Sequence, residues 1–278
     1  MKVHTVRLAA TMALSFGITC GVPALAGAEP VGVGIGGFVI ESLTNDSGTR
    51  QYQVYTPPGL TQGRPMIVWL HGASNVDHGD PPELSATSTL ITEAARSGYS
   101  VVAPMQSLKA ERSGAWQIFD PRNSVRGQGE MSIIADIVRR ETRKLGSDAD
   151  RVYIAGHSAG GAMAENLTAV YPERFAAGAV SAGFPYLGDP TGGALRTARR
   201  GMPIPTFVVH GDRDRVSPYL LGQAIVTASA VANGVSTTPR SGTEVIRPGR
   251  DRYVAAITTR GRGQREIVLA TVHGADHP

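Results

Sequence analysis

Apolar residues along the chain alternate between short continuous runs and longer stretches at helical spacing. Met66 to Leu70 is an unbroken apolar run ending at His71-Gly72, Ser100 to Ala103 is another closed by Pro104, and Val152 to Ala155 is a third. Runs this short and apolar, bounded by Gly and Pro, read as strands buried on both faces. Phe175 to Ser181, Thr206 to His210, Tyr253 to Thr258 and Glu266 to Val272 extend the series, with a turn at Arg260 to Gly263 between the last two. Gln51 to Thr56 alternates polar and apolar, which predicts an edge strand before the Pro57-Pro58-Gly59 turn. Helical spacing appears in between: Leu84 to Ser97, stopped by Gly98, then Ala159 to Val170, and about Tyr219 to Asn233. From Glu130, Met131, Ile134, Ile137, Val138 and Leu145 fall on a helical face, with Arg139, Arg140, Arg143 and Lys144 where cations suit the helix dipole. Strands alternating with helices predict an α/β fold, a mostly parallel sheet with helices on both faces.

The first residues belong to a different pattern. Lys2 and Arg7 precede an apolar run from Leu8 to about Val22 and the small-residue sites Ala24-Leu25-Ala26 and Ala26-Gly27-Ala28, which predicts a cleaved signal peptide over residues 1–26. Its apolar core is too short to cross a bilayer, and no later segment has the required unbroken length. The expected address is secreted or periplasmic. Cys20 is the only cysteine and lacks the Leu three residues before it that a lipid-attachment signal uses, so the sequence favours cleavage over a lipid anchor. Cleavage after Ala26 leaves no Cys and excludes disulfides, thiolate metal ligands and a Cys nucleophile. It also lowers the net charge from +4 to +2, too little and too dispersed for a nucleic-acid surface. The remainder divides into residues 27–50, a flexible N-terminus with a first strand at Phe38-Val39-Ile40, and 51–278, a single catalytic domain. Gly32 to Gly37 spells G-x-G-x-x-G, but it follows a cleavage site and leads into a strand, the reverse of a dinucleotide site. No cofactor is expected.

Candidate chemistry concentrates at Arg151 to Leu167, where an apolar strand stops at Gly156 and small residues begin a helix. Gly156 and Gly160 frame Ser158 as G-x-S-x-G, a turn too tight for flanking side chains that lifts a nucleophilic hydroxyl above the sheet edge. A Ser hydroxyl needs a base, and the base needs an acid to hold its tautomer. Around such an elbow the order is Ser, acid, His, which eliminates His4, His71, His78, His157 and His210 and leaves His273 and His277. His277, on a loop past Gly274-Ala275-Asp276, is favoured over His273 at a strand end. Asp212 and Asp214, both following the strand that ends at His210, each satisfy the spacing for the acid, the other being a solvated turn carboxylate paired with Arg213 or Arg215. The backbone N–H of Ala159 supplies one donor for an oxyanion, and Ala73 or Ser74 the second. The group His71, Asp77, His78 and Asp80 matches no metal-ligand spacing, so no metal is expected.

Together, WLHG at Trp69 to Gly72, AWQIFDP at Ala115 to Pro121, RGQGE at Arg126 to Glu130, GHSAGGAMA at Gly156 to Ala164, YPERFAA at Tyr171 to Ala177, HGDRDRVSP at His210 to Pro218 and VHGADHP at Val272 to Pro278 resemble the esterase, polyhydroxybutyrate (PHB) depolymerase family of α/β-hydrolases, related to feruloyl and acetylxylan esterases. The resemblance implies an α/β-hydrolase fold, with Ser158 as nucleophile, Asp214 rather than Asp212 as acid, and His277 as base. It also implies that Trp116 and Phe119 line the acyl or alcohol pocket, the alternative for both being core packing; His157, beside the nucleophile, is a further candidate substrate contact. Family members often carry Cys where Ala73 and Ala115 stand, and continue past the His with a Trp-containing loop and a helix. The short C-terminus therefore predicts a loosely held His277. The expected activity is hydrolysis of carboxylic esters through an acyl-enzyme. The expected substrates are soluble short-chain or aryl esters or hydroxyalkanoate oligomers, because no linker or separate granule-binding domain appears. The alternatives are a peptidase of the same fold and a non-catalytic exported relative. Neither a nucleic-acid nor a membrane partner is expected.

Overall fold

The computed structural model describes residues 36–73, 88–186, 202–247 and 253–278. The predicted signal peptide, Ser74, and Asp77, His78 and Asp80 all lie outside the described residues. Within them ten strands form one sheet: β1 (Gly37–Asn45), β2 (Gly48–Thr56), β3 (Met66–Leu70), β4 (Ser100–Pro104), β5 (Val152–His157), β6 (Ala177–Ser181), β7 (Thr206–Gly211), β8 (Ser241–Arg247), β9 (Tyr253–Arg260) and β10 (Ile267–Val272). Four α-helices accompany them, α1 (Thr89–Ser97), α2 (Gly129–Lys144), α3 (Ala159–Val170) and α4 (Tyr219–Asn233). The spatial order is β1-β2-β4-β3-β5-β6-β7-β10-β9-β8. From β4 to β10 each neighbouring pair is parallel, and antiparallel strands flank both ends.

The continuous apolar runs became the central parallel strands because both of their faces are covered. Met66, Val68, Val102, Ile154 and Leu70 meet Met131, Ile134, Ile137, Met163 and Leu167 of α2 and α3 on one face. Val180, Val208, Ile267 and Leu269 meet Ile225, Val226 and Ala230 of α4 on that same side. On the other face Ile67, Val101 and Tyr153 pack against Leu90, Ile91 and Ala94 of α1. Helix α1 starts where the Ser88 hydroxyl accepts from the Ile91 N–H and stops at Gly98, whose φ of 69° only glycine adopts readily.

Two expectations need correcting. Gln51 to Thr56 is not an edge strand: β2 lies between β1 and β4, and Tyr52, Val54 and Tyr55 are buried. The polar alternation misled because Gln53 is itself buried, while Arg50 is buried against Glu130. Strand β8 was missed, because an exposed edge strand reading SGTEVIR has no apolar run to mark it. The sheet begins with β1 at Gly37, and β2 follows it from Gly48.

Candidate active site

Parallel pairing brings the C-terminal ends of β3, β5, β6, β7 and β10 to one edge of the sheet, and the candidate residues collect there. Ser158 follows β5 with φ 53° and ψ −120°, a conformation that costs a non-glycine residue about 1–3 kcal/mol. The surroundings enforce it. The Ser158 N–H donates to the Ser181 carbonyl at 2.8 Å, and its own carbonyl accepts from the Ala162 N–H at 3.0 Å, opening α3. The flanking glycines are required by contact: a Cβ on Gly156 would lie 2.2 Å from the Gly160 carbonyl oxygen, and one on Gly160 2.1 Å from that of Leu70.

His277 lies across from this turn, 63 residues along the chain from Asp214 and 119 from Ser158. Its Nε2 is 3.0 Å from Ser158 Oγ and its Nδ1 is 2.8 Å from Asp214 Oδ2. The Asp214 side chain has no exposed surface. Its Oδ1 accepts from the backbone N–H of Val216 at 2.9 Å and of Ser217 at 2.7 Å, so the carboxylate is solvated by the protein and aimed by it. A hydroxyl, an imidazole and an oriented carboxylate thus form one continuous chain, the arrangement that can remove the Ser158 proton and stabilise the imidazolium that results.

Asp212 goes elsewhere. It accepts from His273 Nδ1 at 2.9 Å and from the Gly274 N–H at 2.7 Å, and these contacts hold its carboxyl below the usual range. It pairs with His273 rather than with Arg213 or Arg215. Arg215 pairs instead with Asp276, whose Oδ1 also accepts the His277 N–H at 2.9 Å. The Arg213 N–H donates to the Ala275 carbonyl at 3.0 Å, and a Cβ on Gly211 would sit 2.3 Å from that same oxygen. Residues 273–277, which sequence position suggested would be loosely held, are therefore stitched to the loop that carries Asp214.

The proposed oxyanion donors fall on two sides of Ser158. Ala159 is buried at the first position of α3, where helix N–H groups lack internal partners. Gly72 approaches closely enough that a Cβ there would be 3.3 Å from Ser158 Cβ, which brings the exposed Ala73 to the same edge. His71 fixes this turn. Its Nδ1 lies 2.6 Å from the Gly72 carbonyl, its Nε2 accepts the Gln106 N–H at 3.0 Å, and burial holds its pKa below the ordinary value. The Trp116 indole N–H donates to the His71 carbonyl at 3.0 Å, and the ring is buried among core residues. Phe119 is 67 % exposed. His157 lies with its ring 5.2 Å from that of His277, and burial first, then the neighbouring His277, lowers its pKa.

Spacing did not point to His210. It is buried with Nε2 2.6 Å from the Ser217 carbonyl and 3.5 Å from Asp214 Oδ2, backing the carboxylate loop from below. Its Nδ1 has no partner among the described residues, and Gly222 of α4 lies so close that a Cβ would be 2.5 Å away. The sequence signals were its place at the end of β7 and at the head of the HGDRDRVSP motif.

The model of the esterase PHB depolymerase family matches residues 50–202, a span that includes Ser158, His157, Trp116 and Phe119 and stops short of Asp214 and His277. Poly(3-hydroxyalkanoate) depolymerase C of Paucimonas lemoignei is 31 % identical over 147 residues, 53 % of this chain and 34 % of that protein. Feruloyl esterase B of Neurospora crassa is 33 % identical over 141 residues, 50 % of this chain and 46 % of that one. The chain thus spans about a third to a half of the curated relatives it matches. Among solved structures, the acetyl xylan esterase from Aspergillus awamori superposes with a TM-score of 0.68 at 20 % identity, covering 86 % of this chain and 94 % of that one. That likeness establishes the α/β-hydrolase fold.

Proposed function

Because this chain belongs to the esterase PHB depolymerase family, we propose that it hydrolyses carboxylic esters with Ser158 as nucleophile, His277 as general base and Asp214 as the acid that orients the base. The observation that carries the reading is the unbroken path from Ser158 Oγ through both His277 nitrogens to Asp214 Oδ2. Ser158 Oγ attacks the ester carbonyl as its proton passes to His277 Nε2. The His277 Nδ1–H stays on Asp214, which stabilises the imidazolium without taking its proton. The developing oxyanion is met by the Ala159 N–H, with Ala73 or Ser74 as the second donor. His277 then returns the proton to the leaving alcohol, and water, activated by the same base, releases the acid from Ser158.

Short-chain or aryl esters and hydroxyalkanoate oligomers are the proposed substrates, in keeping with relatives named for feruloyl, acetylxylan and poly(3-hydroxyalkanoate) esters. Export through the N-terminal signal is part of the same proposal. Among the described residues no helix is long and apolar enough to cross a membrane. The test is the hydrolysis of p-nitrophenyl acetate and butyrate by the parent, Ser158→Ala and His277→Ala. Both variants should lose about three orders of magnitude or more in kcat. A folded parent no faster than Ser158→Ala refutes the reading.

A further inference from the structure

His277 sits on a segment, 273–278, that belongs to no helix or strand. The contacts from the acid side reach it through Asp212, Arg213 and Arg215, and they fix its backbone. They leave the face of the His277 ring to be supported from elsewhere. The group on that face is His157. It is the last residue of β5, paired in register with Ser181 of β6, so its backbone belongs to the rigid sheet. Its ring lies against the His277 ring, 5.2 Å between centroids at 39°. It also meets Gly72, where a Cβ would lie 3.1 Å from His157 Cδ2. The ring therefore packs against both the loop after β3 and the base.

From this geometry we propose that His157 is a positioning residue for the base: its ring, packed against the base, holds the His277 imidazole in line between Ser158 and Asp214. The inference rests on the assignment of His277 as base and gives His157 a role other than substrate contact. A base displaced by even an ångström costs about a hundredfold in rate. The acid-side contacts hold the backbone of this segment, and the sheet supports the ring through one side chain.

The experiment compares His157→Ala, His157→Phe and His157→Gln with the parent on p-nitrophenyl acetate. Phe keeps a ring face in that place, whereas Gln keeps polarity and loses the ring. His157→Ala is expected to lower kcat between about ten- and a hundredfold with KM within about twofold, and to slow inactivation by a fluorophosphonate in parallel. Its melting temperature should stay near that of the parent. Phe should recover much of the lost kcat and Gln less. A raised KM at unchanged kcat would overturn the inference in favour of substrate contact. Equal losses in Phe, Gln and Ala that track a fall in melting temperature would overturn it in favour of a purely structural role. Should the Ala variant fail to fold, Phe at or below Gln in kcat overturns it equally. Ser158→Ala is run alongside: if it keeps the parent's rate, the underlying assignment has failed rather than the role of His157.

Discussion

Glu165 on α3 gives the fold a pH dependence that Glu165→Gln removes. The side chain is nine-tenths buried on the helix that Ser158 opens, and it faces a small cavity lined by Thr168, Tyr186, Thr206, Ser229 and Asn233. Burial pushes its carboxyl up to about 8 from an ordinary 4.5, and no charged partner among the described residues offsets the shift. A raised carboxyl pKa means that the folded state holds a proton the unfolded chain releases, so stability falls as pH rises from the unfolded value through the folded one. Integrated from pH 5 to pH 9, that shift corresponds to a loss on the order of 4 kcal/mol, most of it incurred before pH 8. Glutamine keeps the volume and the hydrogen-bonding capacity without the titration. Urea unfolding at pH 5, 7 and 9 should therefore show the stability difference between Glu165→Gln and the parent growing with pH in favour of the variant, by several kcal/mol across the range. Parallel stability curves for the two proteins would refute the reasoning.

The buried Arg50–Glu130 pair, 2.5 Å apart, also receives Gln106 Nε2 and the Gln117 N–H on its carboxylate, and so ties β2 and α2 to the loop holding Trp116 beneath His71. Arg50→Ala leaves that carboxylate buried without its counter-charge and should cost about 3–5 kcal/mol of stability in urea unfolding; a loss under about 1 kcal/mol would contradict the network. Asp214→Asn keeps the shape of the side chain but can present an N–H to His277 Nδ1, favouring the tautomer whose Nε2 cannot accept the Ser158 proton. Ester hydrolysis near neutral pH should fall about 10⁴-fold with little change in melting temperature.

The central strands were legible because their two covered faces make them apolar throughout, and β3, β4 and the turn at Ser158 fall where Met66–Leu70, Ser100–Ala103 and Gly156-His157-Ser158 suggested, β4 taking in Pro104 as well. What spacing could not supply was sideways information. Residues 51–56 carry the same alternation whether or not β1 covers their outer edge, and only the pairing of Tyr52 with Glu41 and of Val54 with Val39 decides it. Asp212 and Asp214 stand two apart on one turn, and the sequence left both open until the family motifs were weighed. In the structure they face different histidines, His273 and His277. Likewise His71, His157 and His210 were set aside by chain order as bases, which says nothing of supporting roles. Their contacts with Gly72, His277 and Ser217 arise from neighbouring strand ends distant in sequence or from tight local turns.

The central claim is that Ser158 is a nucleophile activated by His277. Its most direct measurement is intact-mass and peptide mapping of the folded parent, Ser158→Ala and His277→Ala after exposure to a fluorophosphonate. The account predicts one stoichiometric adduct on Ser158 in the parent, none in Ser158→Ala, and labelling slowed by orders of magnitude in His277→Ala. A folded parent that takes up no label, or labels elsewhere, would contradict it.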